Sequence, residues 1–446
     1  MFSALFKAFG SAGKELYHVG GSVRDTLLNK TPKDYDFTTN ALPNETQEIL
    51  TQSGFKHWPL GEKFGTIATI INNTEVEITT YRKDVTAGRH PEVSSSKSVT
   101  VDLERRDFTI NSIAMDERGN IVDPFHGVND LKRGIIRTTG SPRVRFGEDP
   151  LRMLRAVRFV SQLGFNLNKS ARDTIQSFTH AIMFISRERW LEEMNKLLLG
   201  QYVDRALELF YQTRLMNYII PEMFPITIRK FGSIPSKDLW VHTKIVVKNS
   251  EPRVNLRWAA LLHDIAKPQT RCEDNNEVHF FQHELLGSEM AYSITKKLKM
   301  SNEMSSAVVG LISLHQRIGD VVSRKNDPPV SKSALRRVVR ECEDKKCSID
   351  DLIDLFAADC SSRNKHTQER QAAHVKLLKE ALIEMREEDL RPKLPKGIGE
   401  EIMKRYSLSP GPEVGVIKNR LDQMLLDGII NSNMSLDEMF SILGEV

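Results

Sequence analysis

The apolar residues of this chain change their spacing once, near Glu148, and that change decides what it can fold into. Before it, short runs rich in β-branched residues alternate with turn residues. Beyond it, apolar residues recur at helical intervals, first at Leu151, Leu154, Val157 and Val160, then at Trp190, Met194, Leu197 and Leu198. In the first part, Leu16–Val19 reads as a strand followed by Gly20-Gly21 and a helical stretch. Residues 65–71 and 76–80 read as strands paired around Asn72-Asn73, and residues 110–115 pair with Ile121–Val122 around Glu117-Arg118-Gly119-Asn120. The expected class is therefore α+β: a head with a small mixed sheet and helices over residues 1–140, then only helices. Prolines divide the helical part. Residues 221–235 form a connector, Pro328-Pro329 marks a loop, and residues 391–397 form a linker, giving expected units at 141–220, 221–390 and 391–446.

Bulk properties agree with several soluble domains. With 446 residues, 40% of them hydrophobic, the chain can bury more than one core. A net charge of +4 permits an RNA partner without arguing for one, because binding depends on where the basic side chains cluster. Cys272, Cys342, Cys347 and Cys360 form no CxxC pair and fit free thiols in a reducing compartment. Residues 1–10 are apolar but short and lack a basic flank, so they read as a first helix, not a signal peptide. No run of about 18 uncharged apolar residues occurs, so neither a membrane span nor a membrane partner is expected, and the cytoplasm is the expected location.

The chemistry concentrates in Gly20-Gly21-Ser22-Val23-Arg24-Asp25 followed by Asp34-Tyr35-Asp36. Two glycines after a strand let the backbone approach a ligand and offer N–H groups to anionic oxygens. Arg24 adds a cation for phosphate. Asp34 and Asp36, two apart on an extended segment, put both carboxylates on one face, where they can share divalent cations such as Mg²⁺. Either motif alone is commonplace, a turn or a pair of solvated aspartates. In this order and spacing they resemble the first motif of the polymerase-β-type nucleotidyltransferases, in the branch of the tRNA nucleotidyltransferases and bacterial poly(A) polymerases.

The resemblance runs on through the chain. Val76-Glu77-Ile78 matches the family strand that supplies a third acidic residue, Glu77. Residues 105–111 match the motif whose Arg106 and Asp107, with Asn111 beside them, approach the sugar and phosphates of an incoming nucleotide. Asp123-Pro124-Phe125, Gly127 and Asp130-Leu131 fit a hinge-like link, and residues 83–92 fit a loop that helps such enzymes pass from adding C to adding A. Glu148-Asp149-Pro150-Leu151-Arg152 matches a motif in which Asp149 and Arg152, three apart on one side of a helix, read the Watson–Crick edge of the incoming base without a template. Arg155 and Arg158 extend that basic face toward phosphates, and Arg189 falls in a bracing motif.

A second constellation lies further on. His263-Asp264, with His242 before it and His283, His315 and Asp359 after it, makes an ordered set of imidazole and carboxylate ligands suited to a divalent metal of unspecified identity. The set resembles the HD phosphohydrolases, some of which hydrolyse 2′,3′-cyclic phosphates or phosphomonoesters. An inactive HD fold that only shapes an RNA-binding body is the alternative.

Taken together, the resemblance implies a polymerase-β-like head, an all-α neck, an HD-type helical body and a helical tail. It implies template-independent addition of CCA to the 3′ end of tRNA from CTP and ATP, with a pair of Mg²⁺ ions on Asp34 and Asp36 and no protein partner. Addition of A alone, or poly(A) synthesis, is the close alternative, although residues 61–66 resemble the tRNA enzymes' version of that strand entry. A non-catalytic RNA-binding protein is the alternative of another class. It gains nothing from Asp34, Asp36 and Glu77, which repel RNA unless cations intervene.

Overall fold

Seven strands build one mixed sheet: β1 (Leu16–Val19), β2 (Tyr35–Thr39), β3 (His57–Pro59), β4 (Thr66–Ile71), β5 (Thr74–Thr80) and the short strands Ala114–Met115 and Ile121–Val122. These come from a computed structural model that describes residues 2–60, 65–84, 93–96, 98–228, 238–274, 277–321, 330–360, 365–388, 394–431 and 433–444. The order is β3-β4-β5-β2-β1 followed by the two short strands, with β2 parallel to β5 and antiparallel to β1.

Successive strand residues point to opposite faces, and that alternation positions the site. Phe37 turns toward the face closed by helices Ser3–Ser11 and Pro43–Gln52, packing with Phe2, Leu5, Phe9, Leu50 and Ile78. Asp36, one residue earlier, points the other way, in register with Val19, which packs on Leu103 and Ala114. The hairpin expected at Asn72-Asn73 is present. Ile71 faces Thr74, and both asparagines have positive φ (51° and 62°), a turn whose twist matches that of the strands.

The expected strand over residues 110–115 is only partly present. Thr109–Asn111 is a 3-10 turn and pairing begins at Ala114. Side chains take over the backbone's bonds there: Phe108 N donates to Asp107 Oδ1 at 2.8 Å, and Ser112 Oγ donates to the Phe108 carbonyl at 3.0 Å.

His18 is buried between Tyr35 and Phe37, stacked 19° and 23° from their ring planes, and its Nε2 has no hydrogen-bond partner. Burial lowers its pKa to about 4, below the 6.5 of an exposed imidazole. The unfolded chain therefore binds the extra proton first. His18 leaves stability intact above pH 6.5 and removes it as pH falls toward 4, by on the order of 3 kcal/mol at the limit. Thermal melts of His18→Phe should lose less between pH 7 and pH 4 than those of the wild-type chain; equal losses would refute this.

Contacts divide the chain into two units, residues Met1–Pro221 and Glu222–Val446. In the first, helix Leu151–Leu163 buries Leu151, Leu154, Val157 and Val160, as its spacing predicts, and packs on helix Arg187–Leu198. Their contact admits no side chain at Gly200, where a Cβ would lie 2.1 Å from Ser161 Oγ. In the second unit, helices Leu239–Asn249, Val254–Leu262, His283–Lys297, Asn302–Leu314 and Ile349–Cys360 carry the histidine-rich set. Three further helices, Ile398–Tyr406, Pro412–Leu426 and Leu436–Leu443, close on a small core of Ile402, Leu421 and Phe440.

The expected connector is helical where described, as Pro221–Met223 and Phe224–Ile228. Residues 229–235, Pro328-Pro329, residues 391–393, residues 61–64 of the strand entry and residues 85–92 of the expected loop lie outside the described residues. Among those described, no helix is long and apolar enough to cross a membrane.

Candidate functional site

At the end of β1 the chain turns through Gly20 with φ 74° and ψ −138°. A Cβ there would sit 3.0 Å from Arg106 Nη1 and 3.5 Å from Asp36 Oδ2, so the turn requires glycine. Gly21 opens helix Gly21–Leu27, whose Arg24 donates to Asn111 Oδ1 at 2.8 Å and pairs with Asp25 at 2.8 Å. Gly20, Gly21, Arg24, Asp34, Asp36, Arg106, Asp107 and Asn111 line one side of an open cleft of about 600 Å³. Its other side is Asp149, Arg152, Arg155, Arg158, Phe159, Gln162, Arg189 and Lys196.

Glu77 stands beside this cleft. It is in register with Asp36 on the adjacent strand, on the same face of the sheet, but it does not line the cavity. Its strand lies inside the sheet, not at an edge. Asp34, Asp36 and Glu77 do not draw their oxygens into one tight group, as the histidine-rich set does.

Charge is sorted within the cleft. Burial pushes the Asp36 carboxyl up, the Asp34 charge adds to that, and Arg106 opposes it. Glu77 is raised by partial burial and then by Asp36, Glu75 and Asp34. Carboxylates crowded in this way fit a divalent cation, which removes their repulsion. Asp107 behaves oppositely. Burial works to raise it, but Arg155 at 2.6 Å and the Asn111 amide at 3.0 Å hold it down at about 2. Arg158, buried against Glu193 at 3.1 Å, is lowered to about 10 by burial and by Arg155.

Asp149 and Arg152 both face the cleft, but they neither share a helix nor pair with one another. Asp149 is the extended residue between helix Pro142–Glu148 and Pro150. It accepts from Leu151 N at 3.1 Å and from Arg189 Nη2 at 2.8 Å. Arg152 donates to Glu148 Oε2 at 2.7 Å and to the Arg105 carbonyl at 2.8 Å. Pro150 breaks the helix between them, because proline cannot continue the hydrogen-bond ladder. Arg155 and Arg158, expected to extend the basic face toward phosphates, line the cleft and also pair with Asp107 and Glu193.

The expected hinge at Asp123 is held by local bonds. Asp123 accepts from Gly127 N and Val128 N at 2.7 and 2.9 Å, while Asp130 accepts from Thr109 Oγ1 at 2.7 Å. Phe159, Gln162 and Lys196 were not anticipated as site residues. The signal was present: Arg152, Arg155, Phe159 and Gln162 recur at three, four and three, the spacing of one helix face, and Lys196 follows Arg189 by two turns.

The second unit brings all six residues of the histidine-rich set together. His242, His263 and Asp359 form one cluster, Asp264, His283 and His315 another, each with ligand atoms within 4.8 Å of one another. Asp264 joins them: its Oδ2 lies 3.3 Å from the Nε2 atoms of both His242 and His263, its Oδ1 3.5 Å from His283 Nε2. The Nδ1 atoms of His263, His283 and His315 donate to the carbonyls of Ala260, Phe280 and Ile312 at 2.9, 2.8 and 2.7 Å. That bond fixes each ring and leaves Nε2 to face the cluster, the arrangement of histidine ligands to metals. Burial opposes charge on His263, yet Asp264 and Asp359 lift its pKa to about 10, while burial drops His315 to about 4. Asp264 Oδ1 is buried without a hydrogen-bond partner, so the donor set fits a divalent cation.

Known proteins are similar to the regions that hold both sites. Residues 16–137 match the family model of the poly A polymerase head domain, residues 164–226 that of the probable RNA and SrmB-binding site of polymerase A, and residues 238–363 the HD domain. A CCA-adding enzyme of Anoxybacillus flavithermus is 44% identical over 217 residues, 47% of this chain and 53% of that protein. One from Geobacillus kaustophilus is 45% identical over 210 residues, 46% of this chain and 51% of its own length. The chain thus spans about half the length of the curated relatives it matches. The crystal structure of the Bacillus stearothermophilus CCA-adding enzyme in complex with CTP superposes with a TM-score of 0.70 at 25% identity, covering 99% of this chain and 96% of that one. One chain thus carries a poly A polymerase head domain, the RNA-binding region of that polymerase and an HD domain, and over about half of its length it is similar to CCA-adding enzymes.

Proposed function

We propose that the chain adds CCA to the 3′ end of tRNA, using CTP twice and then ATP. The observation that carries this reading is the single cleft lined by Gly20, Gly21, Arg24, Asp34 and Asp36 on one side and by Asp149 and Arg152 on the other. A triphosphate site and a base-reading pair thereby share one cavity. The family implies a divalent metal, and Asp34 and Asp36 in the cleft wall, with Glu77 in register beside Asp36, would hold Mg²⁺. Bound there, Mg²⁺ supplies charge stabilisation to the triphosphate and acidifies the attacking hydroxyl.

The chain's own residues do the rest. The N–H groups at Gly20 and Gly21, with Arg24, grip phosphate oxygens; Arg106 and Asp107, with Asn111, hold the sugar side. Asp149 accepts from the exocyclic amine shared by C and A, and Arg152 donates to the ring acceptor beside it. The RNA 3′-oxygen then bonds to the α-phosphorus and the α–β anhydride breaks, with pyrophosphate leaving with the electron pair. Four free thiols and the tRNA substrate fit a cytoplasmic enzyme.

The test uses tRNA transcripts lacking CCA, ending in C-C, or complete, each with CTP, ATP or both and Mg²⁺. Addition of C, C and A followed by a stop is expected. A added only to the C-C end would assign an A-adding enzyme, and unbounded A a poly(A) polymerase.

The HD cluster favours a second activity, metal-dependent hydrolysis of 2′,3′-cyclic phosphates or phosphomonoesters at damaged RNA ends. Its support is the orientation of Asp264, one oxygen toward each triad. Hydrolysis of a 2′,3′-cyclic nucleotide in the presence of divalent ions, abolished in His263→Ala, is expected. Failure to bind metal or to hydrolyse would leave the HD fold a structural body.

A further inference from the structure

Two helices run side by side along the cleft. Asp149 pairs with Arg189 at 2.8 Å, Arg155 and Arg158 pair with Glu193 at 3.4 and 3.1 Å, and Ser161 Oγ donates to the Leu197 carbonyl at 2.6 Å. Partner numbers rise together, so Leu151–Leu163 and Arg187–Leu198 point in the same direction, and position along one reports position along the other. The base-reading pair Asp149 and Arg152 stands at their starts. Phe159 lies about 10 Å further along and Gln162 about 15 Å, at 1.5 Å per residue.

The head locates the triphosphate on this scale. The Arg24 guanidinium lies 5.4 Å from the centre of the Phe159 ring, so the Gly20-Gly21-Arg24 corner sits level with Phe159, away from Asp149. Beyond it the cleft continues to Gln162 and Lys196, both exposed side chains that line its open end. The cleft's arginines Arg24, Arg106, Arg155 and Arg158 each share their charge with a carboxylate, Arg24 with Asp25, Arg106 with Asp102, Arg155 and Arg158 as above, and keep further N–H groups for a ligand. Lys196 makes no ion pair with any described residue.

We infer that Lys196, with Gln162 beside it, forms a subsite for the terminal phosphates of the incoming nucleotide, and so for the pyrophosphate that leaves. This rests on the nucleotidyl-transfer reading of the cleft. A nucleotide with its base at Asp149 and its α-phosphate near Asp34 and Asp36 extends its β- and γ-phosphates along the helices toward Lys196. An uncommitted ammonium there meets the oxygens farthest from the base, and it does so whichever base is bound. Lys196 therefore serves CTP and ATP alike, while Asp149 and Arg152 separate C and A from U and G. As pyrophosphate leaves, charge grows on the β-phosphate oxygens, and the Lys196 ammonium neutralises part of it without transferring a proton.

The test is equilibrium binding of CTP, CDP and CMP with Mg²⁺ to the full chain and to Lys196→Gln, Lys196→Arg and Gln162→Ala. Lys196→Gln should weaken CTP about tenfold and leave CMP unchanged, with Lys196→Arg close to wild type, because a charge-assisted phosphate contact is lost in the first and kept in the second. Inhibition by added pyrophosphate should weaken in parallel. Equal losses for CTP and CMP, or none, would overturn the assignment. So would a fall in tRNA affinity in place of CTP affinity, which would give Lys196 to the RNA backbone. A wild-type chain that binds none of the three nucleotides overturns the nucleotidyl-transfer reading itself, and the subsite with it.

Discussion

Asp36→Ala should lose nucleotide transfer by about 10³-fold or more while its melting temperature stays level or rises. The loss follows from the proposed mechanism, in which this carboxylate anchors the cation, an interaction supplying several kcal/mol to the transition state. The stability effect has a different source. Burial, and the Asp34 charge after it, push the Asp36 carboxyl up, so the folded protein keeps that group charged at a cost the unfolded chain does not bear. Removing it relieves the cost, a trade of stability against function. Asp34→Ala should lose transfer similarly. Glu77→Ala should lose less, because Glu77 stands beside the cleft and not in its wall. A transfer assay on the C-C-ended tRNA, run beside thermal melts of each variant, checks both halves. Full transfer in Asp34→Ala and Asp36→Ala would overturn the metal assignment, and a collapsed melt would show that the aspartates serve the fold.

The second large effect is on choice of base. Asp149→Ala should reduce discrimination of CTP over UTP by about 10²-fold or more, since sites built on hydrogen bonds discriminate by unpaired partners more than by fit. Arg189→Ala should act in the same direction but less strongly. Arg189 holds the Asp149 carboxylate at 2.8 Å, and without it the acceptor loses its fixed direction while staying present. The readout is the ratio of C to U incorporation by single-nucleotide addition, with kcat and KM separated. A merely structural role for Arg189 would lower both incorporations equally. Arg189→Lys, which keeps the charge but not the fork, should recover part of the ratio.

Much of this protein was legible before any coordinates, and the legible parts share a cause. The switch of spacing at Glu148, the strands β1, β4 and β5, the Asn72-Asn73 turn and the helix face of Leu151, Leu154, Val157 and Val160 are all local. Each depends on side-chain direction along one element, which the sequence states outright. The same holds for Gly20, whose positive φ only glycine takes readily, and for Asp36, placed opposite Phe37 by strand alternation.

What the sequence could not decide was which charges are spent on one another. Arg155 and Arg158 read as a basic face, and only folding set Asp107, 48 residues away in sequence, and Glu193, 38 residues away, against Arg155. Asp149 and Arg152 read as neighbours on one helix side, and it took the structure to show that Pro150 turns the chain between them and that each has another partner. The expected strand at Ile110 gave way to a turn once the Asp107 side chain accepted from Phe108 N. Ion pairs and side-chain-to-backbone bonds form through space at a cost or gain of a few kcal/mol, and periodicity carries no record of them. The sequence by itself therefore determined the head, the helical remainder and the glycine turn, and it singled out the six residues of the histidine-rich set that the fold gathers. Tertiary structure alone decided that head and neck helices share one cleft, that Asp264 faces both triads, and that Lys196 is left with its charge unspent.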